Sequence, residues 1–132
     1  MLQILSRLTA IKGFAKDIHY TAKGESFYGV HLLMDRVADG LDGFMDSINE
    51  VVYLGGDNTP PPSREVLKYA SAYVPSIGET IEGNLSLLYN LIAQALQEVE
   101  SYQTTERSVA SLLDSIAQDL RLKKGLVSRS MR

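Results

Sequence analysis

Residues 19–50, HYTAKGESFYGVHLLMDRVADGLDGFMDSINE, carry the strongest pattern in the chain. From Ser26 to about Leu54, apolar residues recur at steps of three and four, which predicts one continuous amphipathic helix. The members of this apolar stripe are Val30, Leu33, Val37, Leu41, Phe44, Ile48 and Val52. Gly40 and Gly43 interrupt it, and each costs about 1 kcal/mol relative to alanine in a helix. Their presence therefore predicts close packing of another backbone against this helix.

Helical patterns also flank this stretch. Residues 2–22 place apolar side chains at helical intervals. Gly24 follows them at a position suited to the left-handed residue that ends a helix. Beyond the second helix, residues 56–63 (GDNTPPPS) cannot be helical because they contain three consecutive prolines. Ser63 then precedes a short predicted helix, REVLKYASAY, in the middle of this long connection.

The second half of the chain predicts two more long helices. Ser76 and Glu79 form an S-x-x-E capping box that predicts the start of the third long helix. Thr104 or Thr105 is expected to cap the fourth. The tail, residues 122–132, has few apolar residues and is expected to fray. No stretch alternates as a strand does, so the predicted fold is all-α: a ferritin-like four-helix bundle with a short extra helix in the crossover between the second and third long helices.

The composition is typical of a soluble protein with a single domain spanning residues 1–132. Hydrophobic residues make up 45% of the chain and charged residues 22%. The chain has no cysteine, which excludes disulfides and thiol catalysis. No apolar run approaches the roughly 20 residues needed to cross a bilayer. We therefore expect a cytoplasmic protein. A net charge of −3 argues against DNA binding by the folded body.

Histidine and carboxylate residues form a second stripe on the helix that follows Gly24. His31 and Asp35 are neighbours at i, i+4, and Asp46 and Glu50 repeat that spacing. On a straight helix Asp35 and Asp46 point within ~20° of each other but lie ~16 Å apart along the axis. Metal–ligand bonds are only about 2 Å long. The two pairs therefore cannot bind the same ion within one chain.

Two antiparallel copies of this helix would resolve the conflict. About a two-fold axis, the His31 end of one copy meets the Glu50 end of the other, in the commonest type of oligomer contact. A chain reversal at Gly24 also brings His19 to the His31 end. Each of two equivalent sites would then hold two imidazoles and three carboxylates. Such mixed ligands suit iron better than calcium or magnesium, which prefer oxygen alone.

Two other interpretations use the same residues differently. The acidic stripe is also what a solvated helix face looks like, in which case the protein is a purely structural bundle. The basic tail supports another hypothesis, that the protein compacts DNA. The candidate DNA contacts are Lys123, Lys124, Arg129 and Arg132. Basic residues at this position are equally explained by a helix whose last turn favours positive charge.

The chain resembles the Dps-like mini-ferritins (DNA-binding proteins from starved cells) of the ferritin-like superfamily in this pattern: His19-Tyr20, Gly24-x-x-Phe27-Tyr28, His31-x-x-x-Asp35, ten residues, then Asp46-x-x-x-Glu50. The resemblance is close over the two N-terminal helices and looser over the rest of the chain. The five spaced ligands together are highly specific. One departure is Tyr20, because the family often has tryptophan there and this chain has none.

The resemblance implies a hollow dodecameric shell with ferroxidase sites at its two-fold interfaces. His19, His31 and Asp35 would come from one subunit, and Asp46 and Glu50 from its partner. One or two irons would be bound and oxidised there by peroxide or oxygen, and the ferric mineral stored inside the shell would protect against oxidative damage. Larger ferritins use a Glu-x-x-His motif within one bundle. No histidine follows His31, so that arrangement cannot form here.

Overall fold

Helices account for most of the computed structural model, which describes residues 1–131. They are α1 (Leu2–Thr21), α2 (Phe27–Ala38), α3 (Leu41–Ile48), α4 (Ser63–Tyr73), α5 (Ile81–Ser101) and α6 (Arg107–Ser130), with a π-helical segment at Asn49–Leu54 directly after α3. Residues 1–131 contain no strand. The predicted all-α architecture, with a short extra helix (α4) in the crossover, is confirmed. None of the helices in this part of the chain is long and apolar enough to span a membrane.

Helix α1 lies at the centre of the bundle, and buried residues recur along it from Ile4 to His19. It packs against α2, α3, α4 and α5. Helix α6 packs against α5 and also reaches α2, α3 and the π-helical segment. The largest fully buried apolar side chains of α1 are Leu8, Ile11, Phe14 and Ile18. The second long helical region is therefore held from both sides, by α1 and by α6.

The predicted reversal between the first two helices is present at Gly24. Its φ of +96° is in the left-handed region, which glycine enters without the steric penalty of a Cβ atom. The Phe27 amide donates to the Gly24 carbonyl at 3.1 Å, which closes the turn as α2 begins. The last turn of α1 and the first turns of α2 consequently lie side by side.

The second long helix is not continuous, and here the prediction from its apolar stripe is wrong. Asp39 is extended, with φ −61° and ψ 135°, and Gly40 is left-handed, with φ 80° and ψ −11°. These are the angles of the two central residues of a type II turn. No atom outside the neighbouring backbone lies within 4 Å of a Cβ built on Gly40 or Gly43, so the predicted close packing of a second backbone is also wrong. Glycine occupies position 40 instead because the turn requires a positive φ there.

The start of the third long helix differs from the prediction as well. Helix α5 begins at Ile81, because Thr80 is its N-cap and accepts a hydrogen bond from the Gly83 amide at 3.1 Å. The Asn84 side chain bonds both the amide and the carbonyl of Gly78. These bonds stabilise a non-helical approach to the helix. The capping box at Ser76 is therefore not used.

The basic tail is helical rather than frayed over its described part. Helix α6 runs without interruption to Ser130. Lys123 is 2% exposed and Val127 is fully buried, so this part of the helix is packed on the bundle. The sequence suggested a frayed tail because its apolar residues are few, whereas the structure also buries the charged residue Lys123 there. Arg132 lies outside the described residues.

Replacing Gly40 with alanine tests the break in the second helix. We expect Gly40→Ala to lower the free energy of unfolding by about 1–2 kcal/mol, because a Cβ is unfavourable at positive φ. Gly43→Ala is the matched control within α3, and helix propensity should make it neutral or more stable by up to about 1 kcal/mol. Urea unfolding at one fixed protein concentration measures both. A stabilised Gly40→Ala variant would mean that the helix is continuous in solution.

Candidate metal centre

Three metal-ligating side chains converge where α1 and α2 meet. His19 lies in the last turn of α1, while His31 and Asp35 occupy successive turns of α2. One ligand atom from each of the three lies within 4.8 Å of the other two. The two imidazole rings are stacked, with centroids 3.7 Å apart and an interplanar angle of 26°. The reversal at Gly24 thus builds a compact group of two nitrogen donors and one carboxylate.

The hydrogen bonds of His19 determine which of its ring nitrogens can bind a metal. Its Nδ1 lies 3.1 Å from the His31 backbone carbonyl and 3.4 Å from Oδ1 of Asp35. A carbonyl oxygen and an ionised carboxylate only accept hydrogen bonds, so Nδ1 carries the proton. In the neutral ring, Nε2 then keeps its lone pair. Fixing a histidine tautomer through the other ring nitrogen is typical of metal-binding histidines.

His31 has an unsatisfied nitrogen in the same place. Its Nδ1 is buried and has no hydrogen-bond partner within residues 1–131. Leaving a buried polar atom unpaired costs about 1–3 kcal/mol. The ring is held between His19 on one side and Phe27, whose centroid lies 5.2 Å away. A half-buried ring with a buried, unpartnered nitrogen, beside a carboxylate, is a donor set that fits a transition metal.

Asp35 already contacts a cation. Its Oδ1 lies 3.7 Å from Nζ of Lys16, which is one helical turn before His19 on α1. The two side chains are partly exposed, so the pair is screened by water and weak. Sequence reasoning missed Lys16, although its i, i+3 spacing from His19 places both on one face of α1. The ammonium group is positioned to compete with a metal for the Asp35 carboxylate.

The other two predicted ligands lie elsewhere on the subunit. Asp46 is exposed on α3, and Glu50 is exposed in the π-helical segment. Neither joins the group of three within the described chain. The angle between these two residues and Asp35 around the helix axis was calculated for a straight helix. The chain turns at Gly40, so that calculation does not apply. The structure therefore brings three of the five residues together and leaves two facing solvent.

Within residues 1–131, the candidate DNA contacts do not form a basic surface. Lys123 is buried and pairs with Asp119 at 2.7 Å, so the prediction that it contacts DNA is wrong for the folded subunit. Lys124 is half-buried, with its Nζ 6.0 Å from the centre of the Tyr89 ring. Arg129 is exposed, and Arg132 lies outside the described residues. One exposed arginine at a helix end does not favour DNA binding.

The bundle with its crossover helix belongs to the ferritin-like class of folds. No protein-family model matches the sequence, and no curated protein matches it by sequence. Solved structures do match.

A C-terminal deletion mutant of Mycobacterium smegmatis Dps is 19% identical, with a TM-score of 0.81 over 97% of this chain and 91% of that chain. A tetragonal crystal form of Mycobacterium smegmatis Dps gives 0.81 at 19% identity, over 96% and 79%. A mutant of Mycobacterium smegmatis Dps1 gives 0.77 at 16% identity, over 99% and 91%. At these identities the likeness establishes the fold, which is the Dps-type ferritin-like bundle that was predicted.

Removing the competing ammonium group should strengthen metal binding. We expect Lys16→Met to bind Zn²⁺ about two- to fivefold more tightly than the unmodified protein, the change that a partly exposed ion pair can account for. Isothermal titration calorimetry measures the affinity. Lys12→Met is the matched control, because Lys12 pairs with Asp42 at 2.7 Å and contacts none of the three candidate ligands. Equal affinities in all three proteins would show that Lys16 does not compete.

Proposed function

We propose that this protein is the subunit of an oligomeric ferroxidase and iron-storage shell. The observation that carries the proposal is the convergence of His19, His31 and Asp35 within 4.8 Å on a Dps-type fold. Nitrogen and carboxylate donors together favour iron over the oxygen-binding ions calcium and magnesium. Iron is the substrate here rather than a resident cofactor. A dodecamer is the assembly that the resemblance to mini-ferritins implies.

In this proposal a complete site needs two subunits. One subunit provides the group of three, of which His19 is buried and Asp35 exposed, and its partner contributes Asp46 and Glu50. Both partner carboxylates are exposed in the isolated subunit and make no ion pair within residues 1–131. Two-fold symmetry makes the exchange reciprocal, so each dimer would hold two equivalent sites.

The surface around the group of three supports a dimer interface there. Large apolar side chains are exposed next to the histidines: Tyr20 is 75%, Tyr28 65% and Leu32 51% exposed. Exposed apolar residues that cluster around a polar site are typical of surfaces that bind another protein. A second copy of the subunit would bury them and supply the missing carboxylates.

The chemistry follows from the ligand types. His19 and His31 would bind ferrous iron through neutral imidazoles, and the carboxylates would stabilise the greater charge of ferric iron. Two ferrous ions supply two electrons, which with two protons reduce one hydrogen peroxide to two waters. Oxidation in pairs limits release of hydroxyl radical, and the ferric product hydrolyses to mineral inside the shell. The chain's contribution is to bind and orient the metal.

Mixing two inactive variants tests whether the site is shared. His31→Ala and Asp46→Ala should each oxidise ferrous iron far more slowly than the unmodified protein. Refolded or co-expressed together, they should recover about one quarter of the activity. This fraction arises because about half of randomly paired dimers are mixed, and one of the two sites in each mixed dimer is then intact. Stopped-flow absorbance of the ferric product measures the rate.

Asp17→Ala is the control for this experiment, because Asp17 is an exposed acid on α1 that lies outside the group of three. It should oxidise iron at the unmodified rate. Full activity in both single variants would show that these residues do not form the site. Failure of the mixture to recover, with correct assembly, would place both residues in one subunit's site instead.

A charge at the proposed interface should prevent assembly. Leu32→Glu buries a carboxylate against the partner, so we expect sedimentation velocity to show monomers and iron oxidation to be lost. Leu32→Met keeps the surface apolar and should assemble normally. A Leu32→Glu protein that still forms the full oligomer would exclude this face as the two-fold interface.

A further inference from the structure

Lys123 is a buried cation that the proposed chemistry does not use. It lies on α6 and is 2% exposed, although a lysine is rarely buried unless it is paired. Its ammonium group donates to the backbone carbonyl of Asp39 and pairs with the Asp119 carboxylate at 2.7 Å. Asp119 precedes it by one turn on α6. The cation is thus held by its own helix and directed at the second helical region.

The carbonyl that Lys123 binds is at the break in that region. Helix α2 ends at Ala38, Asp39 is extended, and Gly40 turns the chain before α3 begins. The last carbonyls of a helix lose their intrahelical partners, and a positive charge at that end is favourable. The Lys123 ammonium group donates a hydrogen bond to one of these carbonyls and also places a positive charge at the helix end. It therefore stabilises the break rather than a continuous helix.

The break separates the two half-sites of each subunit. His31 and Asp35 precede it on α2, whereas Asp46 and Glu50 follow it. The angle at Asp39–Gly40 therefore sets how one half-site is oriented relative to the other. In a two-fold dimer, that orientation decides whether both sites close at metal–ligand distances of about 2 Å.

We propose that Lys123 is a positioning residue for the intersubunit metal site, acting through the Asp39–Gly40 break. The inference rests on the proposed function, because it concerns how the shared site is completed. Helix α6 packs against both α2 and α3, so it is placed to hold the two parts at a fixed angle. Lys123 does not touch the metal in this account. Its effect is on the geometry of ligands that lie on either side of the break.

The test uses Lys123→Met, which keeps an unbranched side chain only one atom shorter and removes the cation. Co²⁺ is the probe, added to the purified assembled protein, with affinity measured by calorimetry and ligand geometry by the visible absorption spectrum. We expect the variant to assemble but to bind Co²⁺ about tenfold or more weakly, with an altered spectrum, as is typical when a group supporting the ligands is lost. A purely structural lysine would change stability without changing the spectrum of the assembled protein.

Lys124→Met is the matched control. Lys124 is the next residue on α6 and lies near Tyr89, and no contact joins it to the break. It should bind Co²⁺ with unchanged affinity and spectrum. Gly40→Ala is a second variant that perturbs the Asp39–Gly40 turn, because it places a Cβ at a positive φ and leaves Lys123 unchanged. If Lys123→Met does not assemble, the Co²⁺ spectrum of assembled Gly40→Ala decides the question.

The outcomes separate this inference from the proposed function. An altered Co²⁺ spectrum in assembled Lys123→Met supports the positioning role, and Gly40→Ala takes its place as the test only if Lys123→Met does not assemble. Unaltered affinity and spectrum in assembled Lys123→Met, or in assembled Gly40→Ala where Lys123→Met does not assemble, overturn it, and the shared ferroxidase site then stands without it. If the unmodified protein neither binds Co²⁺ nor oxidises iron, the proposed function fails and the positioning role fails with it.

Discussion

The hydrogen bond from Nδ1 of His19 to the backbone carbonyl of His31 is the interaction on which the candidate centre depends. It joins a side chain of α1 to the main chain of α2, so it fixes the distance between the helices and the tautomer of the ring together. The bond forms because Gly24 reverses the chain within a few residues. The stacked imidazoles and the nearby Asp35 carboxylate follow from that one reversal. The geometry of the candidate metal centre therefore has a local cause in the chain.

The interrupted second helix gives the bundle a property that a straight helix would lack. A continuous helix would fix the phase of its two ends through the 3.6-residue repeat alone. Here the phase depends on a turn that α6 holds in place through Lys123. The π-helical segment that follows α3 shifts the register once more around Glu50, and such wide turns are often found at functional sites. Tertiary contacts, rather than helical periodicity, therefore set the relative positions of the ligands.

The sequence predicted the helices better than it predicted their interruptions. Apolar periodicity identified each helical region, and Gly24 marked the reversal that the structure contains. It missed the turn at Gly40 because the apolar stripe continues through it with the same spacing. The sequence pattern did not predict that the tail is helical, because the burial of Lys123 depends on a carbonyl that is 84 residues away in the chain. The three converging ligands could be expected from spacing, whereas Lys16 required the packing of α1 on α2.

The proposed division of the metal ligands between two subunits has a thermodynamic consequence. If metal binds only where two subunits meet, then its binding free energy is added to the free energy of association. Ferrous iron would favour the assembled state, and assembly would in turn raise the affinity for iron by the same factor. The shell would thus be most stable when its substrate is abundant. Such coupling would need no regulatory residue, because it follows from the sharing of each site between two subunits.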